Sequence, residues 1–289
     1  MGRILSPAGD NSRRQEHTLS DKDFRYICQF VYDATGIVLD ERKREMVYRR
    51  LMRRTRDTRL GSFKEYLNFL DSNEEELPNF INAITTNLTS FFRENHHFEF
   101  MKNEFVPALL KSKQPQRLRI WSAGCSTGEE AYSIAITLKE SMDKHLNSWD
   151  TKILATDLDS DVVATGKAGI YKADRIEGLD KNRVKRWFKK HPQNGLVKTA
   201  NELGELITFK QLNLLEPWPM KGPFDIIFCR NVVIYFDKPT QQNLFQHYHD
   251  LLKPGGYLII GHSEGLGEIQ TKFTPMGKTI FQKTQQDGV

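Results

Sequence analysis

Gly124 and Gly128 stand in the run Trp121-Ser122-Ala123-Gly124-Cys125-Ser126-Thr127-Gly128-Glu129-Glu130, between a strand-like segment and a helix-like one. Glycines there let backbone pass close to a ligand at the carboxyl end of the first strand, where open α/β sheets bind their ligands. Thr127 and Glu130 have capping-box spacing, which predicts the start of the helix. The spacing is not that of the dinucleotide fingerprint GxGxxG, and Glu129 and Glu130 would repel a pyrophosphate at the helix N-terminus. A ligand with a cationic or neutral head suits these acids better. S-adenosylmethionine has such a head; another nucleotide and a plain tight turn remain open on the turn alone. Asp157 ends a second strand-like run and can accept hydrogen bonds from ribose hydroxyls. It lies farther from Gly128 than the ~20 residues of the nicotinamide fingerprint.

Other reactive residue types offer less. His96 and His97 lack an Asp or a third His at ligand spacing and read as part of a surface helix. His262 reads as a hydrogen-bonding residue at a strand end. Cys28, Cys125 and Cys229 form no CxxC pair, which excludes a disulfide scaffold or a Cys-rich zinc site and favours a reducing compartment. Asn87-Leu88-Thr89 is a glycosylation sequon by accident in that setting. The sequence presents no Ser/His/Asp or Cys/His constellation.

The elements that must position the turn alternate. Arg117–Ala123 reads as a strand, 127–146 as a helix, 152–156 as a strand and Ser160–Ala168 as a helix. Phe224–Cys229 and 257–261 read as strands separated by a helix over 240–252. Such alternation predicts a parallel sheet covered on both faces. Leu196–Thr199 and residues 206–209 flank a turn-rich stretch and read as a small inserted β-hairpin. The first ~90 residues read as helices only, by apolar periodicity and caps. Ser20 starts one helix and Gly36 ends it; Ser62 and Glu65 form a capping box; Glu74 to Glu76 lead another helix with Phe80, Ile81 and Ile84 as its apolar face. Asn95 can cap a longer helix reaching Leu110, and residues 111–117 read as a polar linker.

Charge is concentrated in one place. The 289-residue chain carries a net +5, and residues 40–59 hold nine basic residues against four acids, the same excess. Val47, Tyr48, Leu51 and Met52 make one helical stripe, and Arg49, Arg53 and Arg56 recur on another face beside Arg50. The run holds too few acids for a salt-bridge lace, so it predicts an acidic partner, phosphate or carboxylate. Composition is that of an ordinary globular protein, with 38% apolar and 27% charged residues. The longest apolar runs fall well short of the ~18 residues of a membrane span, and residues 1–17 lack the apolar stretch of a signal peptide.

Seven segments together resemble the chemotaxis receptor methyltransferases, the CheR-type protein-glutamate O-methyltransferases. They are residues 85–94 (TTNLTSFFRE), 123–135 (AGCSTGEEAYSIA), 155–159 (ATDLD), 213–216 (NLLE), 224–236 (FDIIFCRNVVIYF), 253–256 (KPGG) and 261–264 (GHSE), in the order of that family. Ala131 departs from the Pro usual there, harmlessly, since Pro would sit in the first helical turn.

The resemblance implies an α/β fold: a Rossmann-like S-adenosylmethionine-dependent methyltransferase sheet with an inserted small antiparallel β-subdomain, preceded by an all-α N-terminal domain. The expected layout is a disordered arm over 1–18, a helical domain over 19–90, a linker helix over 91–116 and the methyltransferase domain over 117–289, with its insert at about 192–210. It implies a cytoplasmic enzyme that methylates chemoreceptor glutamates with S-adenosylmethionine, releasing S-adenosylhomocysteine and using no metal. By resemblance Asn87, Thr89, Arg93, Glu129, Asp157, Asn213, Leu214, Arg230 and Asn231 line the cofactor site, and Arg93 and Tyr235 lie nearest the transferred methyl. Lys43, Arg50, Arg53 and Arg56 would dock on the acidic methylation helices of receptors, with contact to membranes only through them. A receptor C-terminal peptide is a candidate for the β-subdomain edge. A methyltransferase acting on RNA and a non-enzymatic adaptor are the competing expectations. Against the first, Asn231-Val232-Val233-Ile234-Tyr235 lacks the Pro pair of base-methylating enzymes, so no nucleic-acid partner is expected.

Overall fold

The computed structural model describes residues 19–112 and 116–284. The expected arm over 1–18 and residues 113–115 of the polar linker lie outside the described residues. Two compact units part between Thr85 and Thr86.

The first unit consists of helices. α1 (Asp21–Thr35) begins where the Ser20 hydroxyl accepts from Asp23 N and ends at Gly36, whose φ of 70° is the left-handed geometry that glycine tolerates. α2 (Arg44–Asp57), α3 (Phe63–Ser72) and α4 (Leu77–Ile84) follow. Ser62 Oγ accepts from Glu65 N, while Glu65 reaches back to Gly61 N rather than to Ser62, a box shifted by one residue. The apolar stripes meet in one core of Phe24, Ile27, Val31, Val47, Leu51, Tyr66 and Phe80. Glu76 is buried in that core's edge, and Arg54 and the Tyr66 hydroxyl both donate to it.

In the second unit, α5 (His96–Phe100) runs through a π-helical turn (Met101–Phe105) into α6 (Val106–Lys111). The wide turn stops beside Pro107, which has no N–H for a regular ladder. Asn95 makes no side-chain cap here, because its backbone is already helical. β1 (Arg117–Ala123), α7 (Glu129–Met142), β2 (Asp150–Asp157) and α8 (Ser160–Ala168) then alternate. Later come β3 (Ile170–Lys172), α9 (Lys181–Trp187), β4 (Phe188–Lys190), β5 (Leu196–Thr199), the short α10 (Asn201–Gly204) and β6 (Ile207–Gln211). β7 (Phe224–Cys229), α11 (Lys238–Leu251), β8 (Leu252–Ile260), β9 (Phe273–Gly277) and β10 (Ile280–Lys283) complete it.

The main sheet has seven strands in the order β6-β2-β1-β7-β8-β10-β9. β6, β2, β1, β7 and β8 are mutually parallel, and β10 runs antiparallel to both neighbours. Alternate residues enter opposite cores: Ile120, Ile153, Ile226 and Phe228 on one face, and Trp121, Ala123, Ile227 and Cys229 on the other. All six residues of β7 are buried, which is why the strand reads as an apolar run broken only by Asp225, which pairs with Lys253 and accepts from Arg119 N.

The expected hairpin does not form. Leu196–Thr199 is instead the middle strand of a three-stranded antiparallel sheet, β3-β5-β4, whose partners are Ile170–Lys172 and Phe188–Lys190. The other half of the supposed hairpin is β6, which pairs in parallel with β2 in the main sheet. Local turn chemistry suggested pairing across 200–205, but α10 occupies that stretch and carries the chain to the sheet edge.

Candidate functional site

The carboxyl ends of β1, β2 and β7 are adjacent and carry the irregular backbone of the domain. After β1 the chain turns through Gly124 (φ 81°), Ser126 (φ 49°) and Gly128 (φ 95°). Gly124 N and Cys125 N both donate to Thr156 O at 2.8 Å, and Ser126 N donates to Asp157 Oδ2 at 2.8 Å. The end of β2 therefore holds the turn after β1. The glycines also have a packing role that the sequence did not show. A Cβ on Gly124 would strike the Val232 side chain, and one on Gly128 would lie 2.9 Å from Gly166 Cα and 3.1 Å from Phe209. Both glycines serve close packing of the protein on itself.

The expected capping box is also corrected. Thr127 Oγ1 donates to Glu129 Oε2 at 2.5 Å, and among the described residues no helix N–H donates to it. Glu130 points into the core, accepting from Ser122 Oγ at 2.7 Å and from Arg230 Nη1 at 3.0 Å. Burial pushes the Glu130 carboxyl up, against the Arg230 guanidinium that pulls it down.

Asp157 accepts from the turn and from Asp159 N at 3.0 Å. Burial pushes its carboxyl up to about 6, despite those backbone donors. Asp159 caps α8 through Asp161 N and Val162 N. It also accepts from Asn87 Nδ2 at 2.7 Å, while the Asn87 carbonyl accepts from Ser126 Oγ at 3.0 Å. Residues 87–93 thus wrap the ends of β1 and β2. Arg93 Nη1 donates to Leu88 O at 3.0 Å, and Arg93 O accepts from Arg230 Nη2 at 2.5 Å. Beyond β6, Leu212 N bonds Asp157 O at 2.9 Å, which sets Asn213 and Leu214 beside the same strand end. Asn213 Oδ1 accepts from Leu215 N, and Leu214 O from Trp218 Nε1. After β7, Asn231 adopts φ 58° and a 3₁₀ turn, Val233–Tyr235, follows.

The predicted residues Asn87, Thr89, Arg93, Glu129, Asp157, Asn213, Leu214, Arg230, Asn231 and Tyr235 all belong to this second unit, at or beside these strand ends. Two of them are ion-paired within the protein. Arg230 is buried between Glu130, the Arg93 carbonyl and Glu94. Glu129 is fully buried and ion-paired with Arg175, whose Nη2 also donates to Thr89 O at 2.7 Å. Nothing in the sequence singles out Arg175; it reaches the site from the turn after β3, across the small sheet. Glu264 was also missed as an individual residue, although it ends the GHSE motif. Its carboxylate accepts from Asn231 N, Val232 N, Ile234 N and Gly261 N.

His97 corrects the surface-helix reading. It is fully buried, with Nε2 against Lys278 O at 2.9 Å, and burial lowers its pKa to about 3, leaving it neutral. Glu94 lies close enough that ligand atoms of Glu94, His96 and His97 fall within 4.8 Å of one another. His262 Nδ1 donates to Glu94 Oε1 at 2.9 Å, since a carboxylate oxygen accepts. Burial pushes the Glu94 carboxyl up, but the His262 hydrogen bond and the Arg230 guanidinium hold it below its ordinary value.

Lys43, Arg50, Arg53 and Arg56 belong to the first unit. The salt-bridge lace judged absent from the sequence is present: Arg42 pairs with Asp40, Arg44 with Glu41 and Asp21, Arg49 with Glu45, and Arg54 with Glu76 and Asp57. Two of these acids, Asp21 and Glu76, come from outside the window that was counted. Lys43 Nζ donates to Val38 O, and Arg50 closes α4 through the carbonyls of Ile84 at 2.6 Å and Thr85 at 2.7 Å. Arg53 and Arg56 are exposed, and among the described residues no ion pair engages them.

Comparison with known proteins matches residues 87–282 to the family described as CheR methyltransferase, SAM binding domain, and residues 22–85 to CheR methyltransferase, all-alpha domain. A chemotaxis protein methyltransferase of Escherichia coli (strain K12) is 42% identical over 95% of this chain and 96% of its own. Chemotaxis protein methyltransferase 2 of Pseudomonas aeruginosa is 44% identical over 92% and 95% respectively. A chemotaxis protein methyltransferase of Borreliella burgdorferi is 40% identical over 82% and 86%.

Proposed function

Because the chain belongs to the CheR methyltransferase family, with its S-adenosylmethionine-binding and all-α domains, we propose that it methylates glutamate side chains of chemoreceptors, giving glutamate methyl esters. S-adenosylmethionine supplies a methyl group on a sulfonium and leaves as S-adenosylhomocysteine. The donor set fits such a cation. Five carboxylates (Glu94, Glu129, Glu130, Asp157 and Asp159) gather at these strand ends with three guanidiniums (Arg93, Arg175 and Arg230). That negative excess is the observation that carries the reading, since it would oppose a phosphate-bearing cofactor.

The substrate carboxylate has an ordinary pKa near ~4.3 and is ionised at neutral pH, so no general base is required. One carboxylate oxygen forms the new C–O bond, the C–S bond breaks with its electrons going to sulfur, and no proton moves. What remains for the protein is to align the reactants and exclude water. Asp157 would accept from ribose hydroxyls, Asn87 and Thr89 would shape the wall, and Asn213 and Leu214 would close the side beyond β6. Arg93 would orient the attacking carboxylate and Tyr235 would stand beside the sulfonium. Glu129 would meet the amino-acid end of the cofactor, in company with Arg175. Arg53 and Arg56 would dock the acidic receptor helix.

Incubation with methyl-labelled cofactor and receptor membranes, followed by alkali, tests this. Methyl esters release volatile methanol in base. Label that stays protein-bound, or label found in added RNA, would overturn the reading.

A further inference from the structure

Glu264 sits just past β8, three residues after Gly261, and reaches across to the loop that follows β7. Its Oε2 accepts from Gly261 N at 2.6 Å and Asn231 N at 2.9 Å. Its Oε1 accepts from Val232 N at 3.0 Å and Ile234 N at 3.4 Å. One carboxylate thus collects four backbone donors from two strand ends. Among the described residues no Lys, Arg or His pairs with it, so these N–H dipoles balance its charge, as in a backbone anion nest.

We propose that Glu264 is a positioning residue for methyl transfer: its carboxylate holds the loop of Asn231 and Tyr235 in the shape that seats the cofactor. This rests on the reading of those two residues given above. The loop needs such a hold. Asn231 lies at φ 58°, a left-handed conformation that asparagine tolerates without favouring. Val232 packs on Gly124, so the loop's position also sets the glycine turn after β1. Gly261 makes room for it: a Cβ there would lie 2.5 Å from Asn231 Nδ2 and 2.9 Å from Asn231 N. Glutamine cannot replace the carboxylate, because its amide NH₂ would face N–H donors.

The test compares four proteins by calorimetry with S-adenosylhomocysteine and by turnover on receptor membranes: wild type, Glu264→Gln, Gly261→Ala, and the control Leu109→Ala. Leu109 is a residue of α6 in the other core of this unit, which holds no residue of the loop. All are measured at a temperature where circular dichroism shows them folded. Glu264→Gln and Gly261→Ala are expected to bind about tenfold more weakly or worse, about 1.4 kcal/mol. Leu109→Ala, though at least as destabilised, keeps wild-type affinity. Wild-type affinity in Glu264→Gln, or an equal loss in the control, overturns the proposal. Should Glu264→Gln fail to fold, Gly261→Ala decides alone, since its backbone accepts alanine and the added methyl pushes apart Asn231 and the Glu264 carboxylate, which would lie 2.9 Å from it. A wild type that gives no heat removes the functional reading itself, an outcome distinct from wild-type heat with unaffected variants.

Discussion

Val232 fills the space that a Cβ on Gly124 would need, and Gly124 itself stands at φ 81°. The turn after β1 and the loop after β7 are therefore one packed unit. Gly124→Ala incurs both a backbone penalty and a clash, and is expected to cost about 2–4 kcal/mol in denaturant unfolding. Adding Val232→Ala should recover the clash but not the backbone part, giving a coupling of about 1 kcal/mol in the double-mutant cycle. Strict additivity of the two changes would show that they do not touch.

Asp157 gives the site an acid limb. Burial raises its carboxyl to about 6, with Asp159 nearby adding to the rise. The ionised form is the better acceptor for ribose hydroxyls, so if Asp157 makes the proposed contact, cofactor affinity is present above that value and lost as pH falls through it. Calorimetry should show binding at pH 5 about tenfold weaker than at pH 7.5, since one unit below a pKa leaves about a tenth of the group ionised. Affinity that stays level down to pH 4.5 would remove Asp157 from the contact.

Arg93 and Tyr235 separate by kind of role. If Arg93 orients the attacking carboxylate as proposed, Arg93→Ala is expected to lower kcat by about 10²-fold or more, the scale of losing one oriented electrostatic group. If the Tyr235 ring stands beside the sulfonium as proposed, Tyr235→Phe keeps that ring and should cost less than about tenfold. Initial rates at saturating cofactor decide this, and near-wild-type turnover in Arg93→Ala would take it out of the mechanism.

Much of the domain scaffold was legible because its signals are local. Phe224–Cys229 and Ser160–Ala168 have the bounds read from apolar runs and caps, and Ser20 and Gly36 delimit α1 as expected. Pairing was less legible, since register depends on residues far apart. β6 joined β2 rather than β5, and β9 and β10 gave no strand reading. The proposed site residues were named through the resemblance alone, and their partners within the protein were not legible. The Glu129–Arg175 and Glu130–Arg230 pairs join residues 46 and 100 positions apart, and no periodicity reports such contacts. The glycines were legible for freedom of backbone, while the side chains packed on them, Val232 and Phe209, come from distant segments.

The basic segment divides into structural and available cations, and the division can be measured. Arg54 serves Glu76, a carboxylate only 5% exposed that also accepts from Tyr66 and Asn79. Arg54→Met would leave that charge buried without its cation and is expected to cost about 3 kcal/mol or more. Arg53 and Arg56 lie exposed on the same helix, α2, and pair with no described acid. Replacing both with alanine should change unfolding free energy by less than about 0.5 kcal/mol each, as for surface sites in general. If they dock an acidic helix, the same double variant should weaken receptor binding, most at low salt, because exposed charges act over a Debye length of about 10 Å at 0.1 M. Its KM for S-adenosylmethionine should stay unchanged. A variant as active on receptor membranes as wild type at low salt would assign docking to another surface, and a shifted cofactor KM would show that the two arginines act on the methyl-transfer site itself.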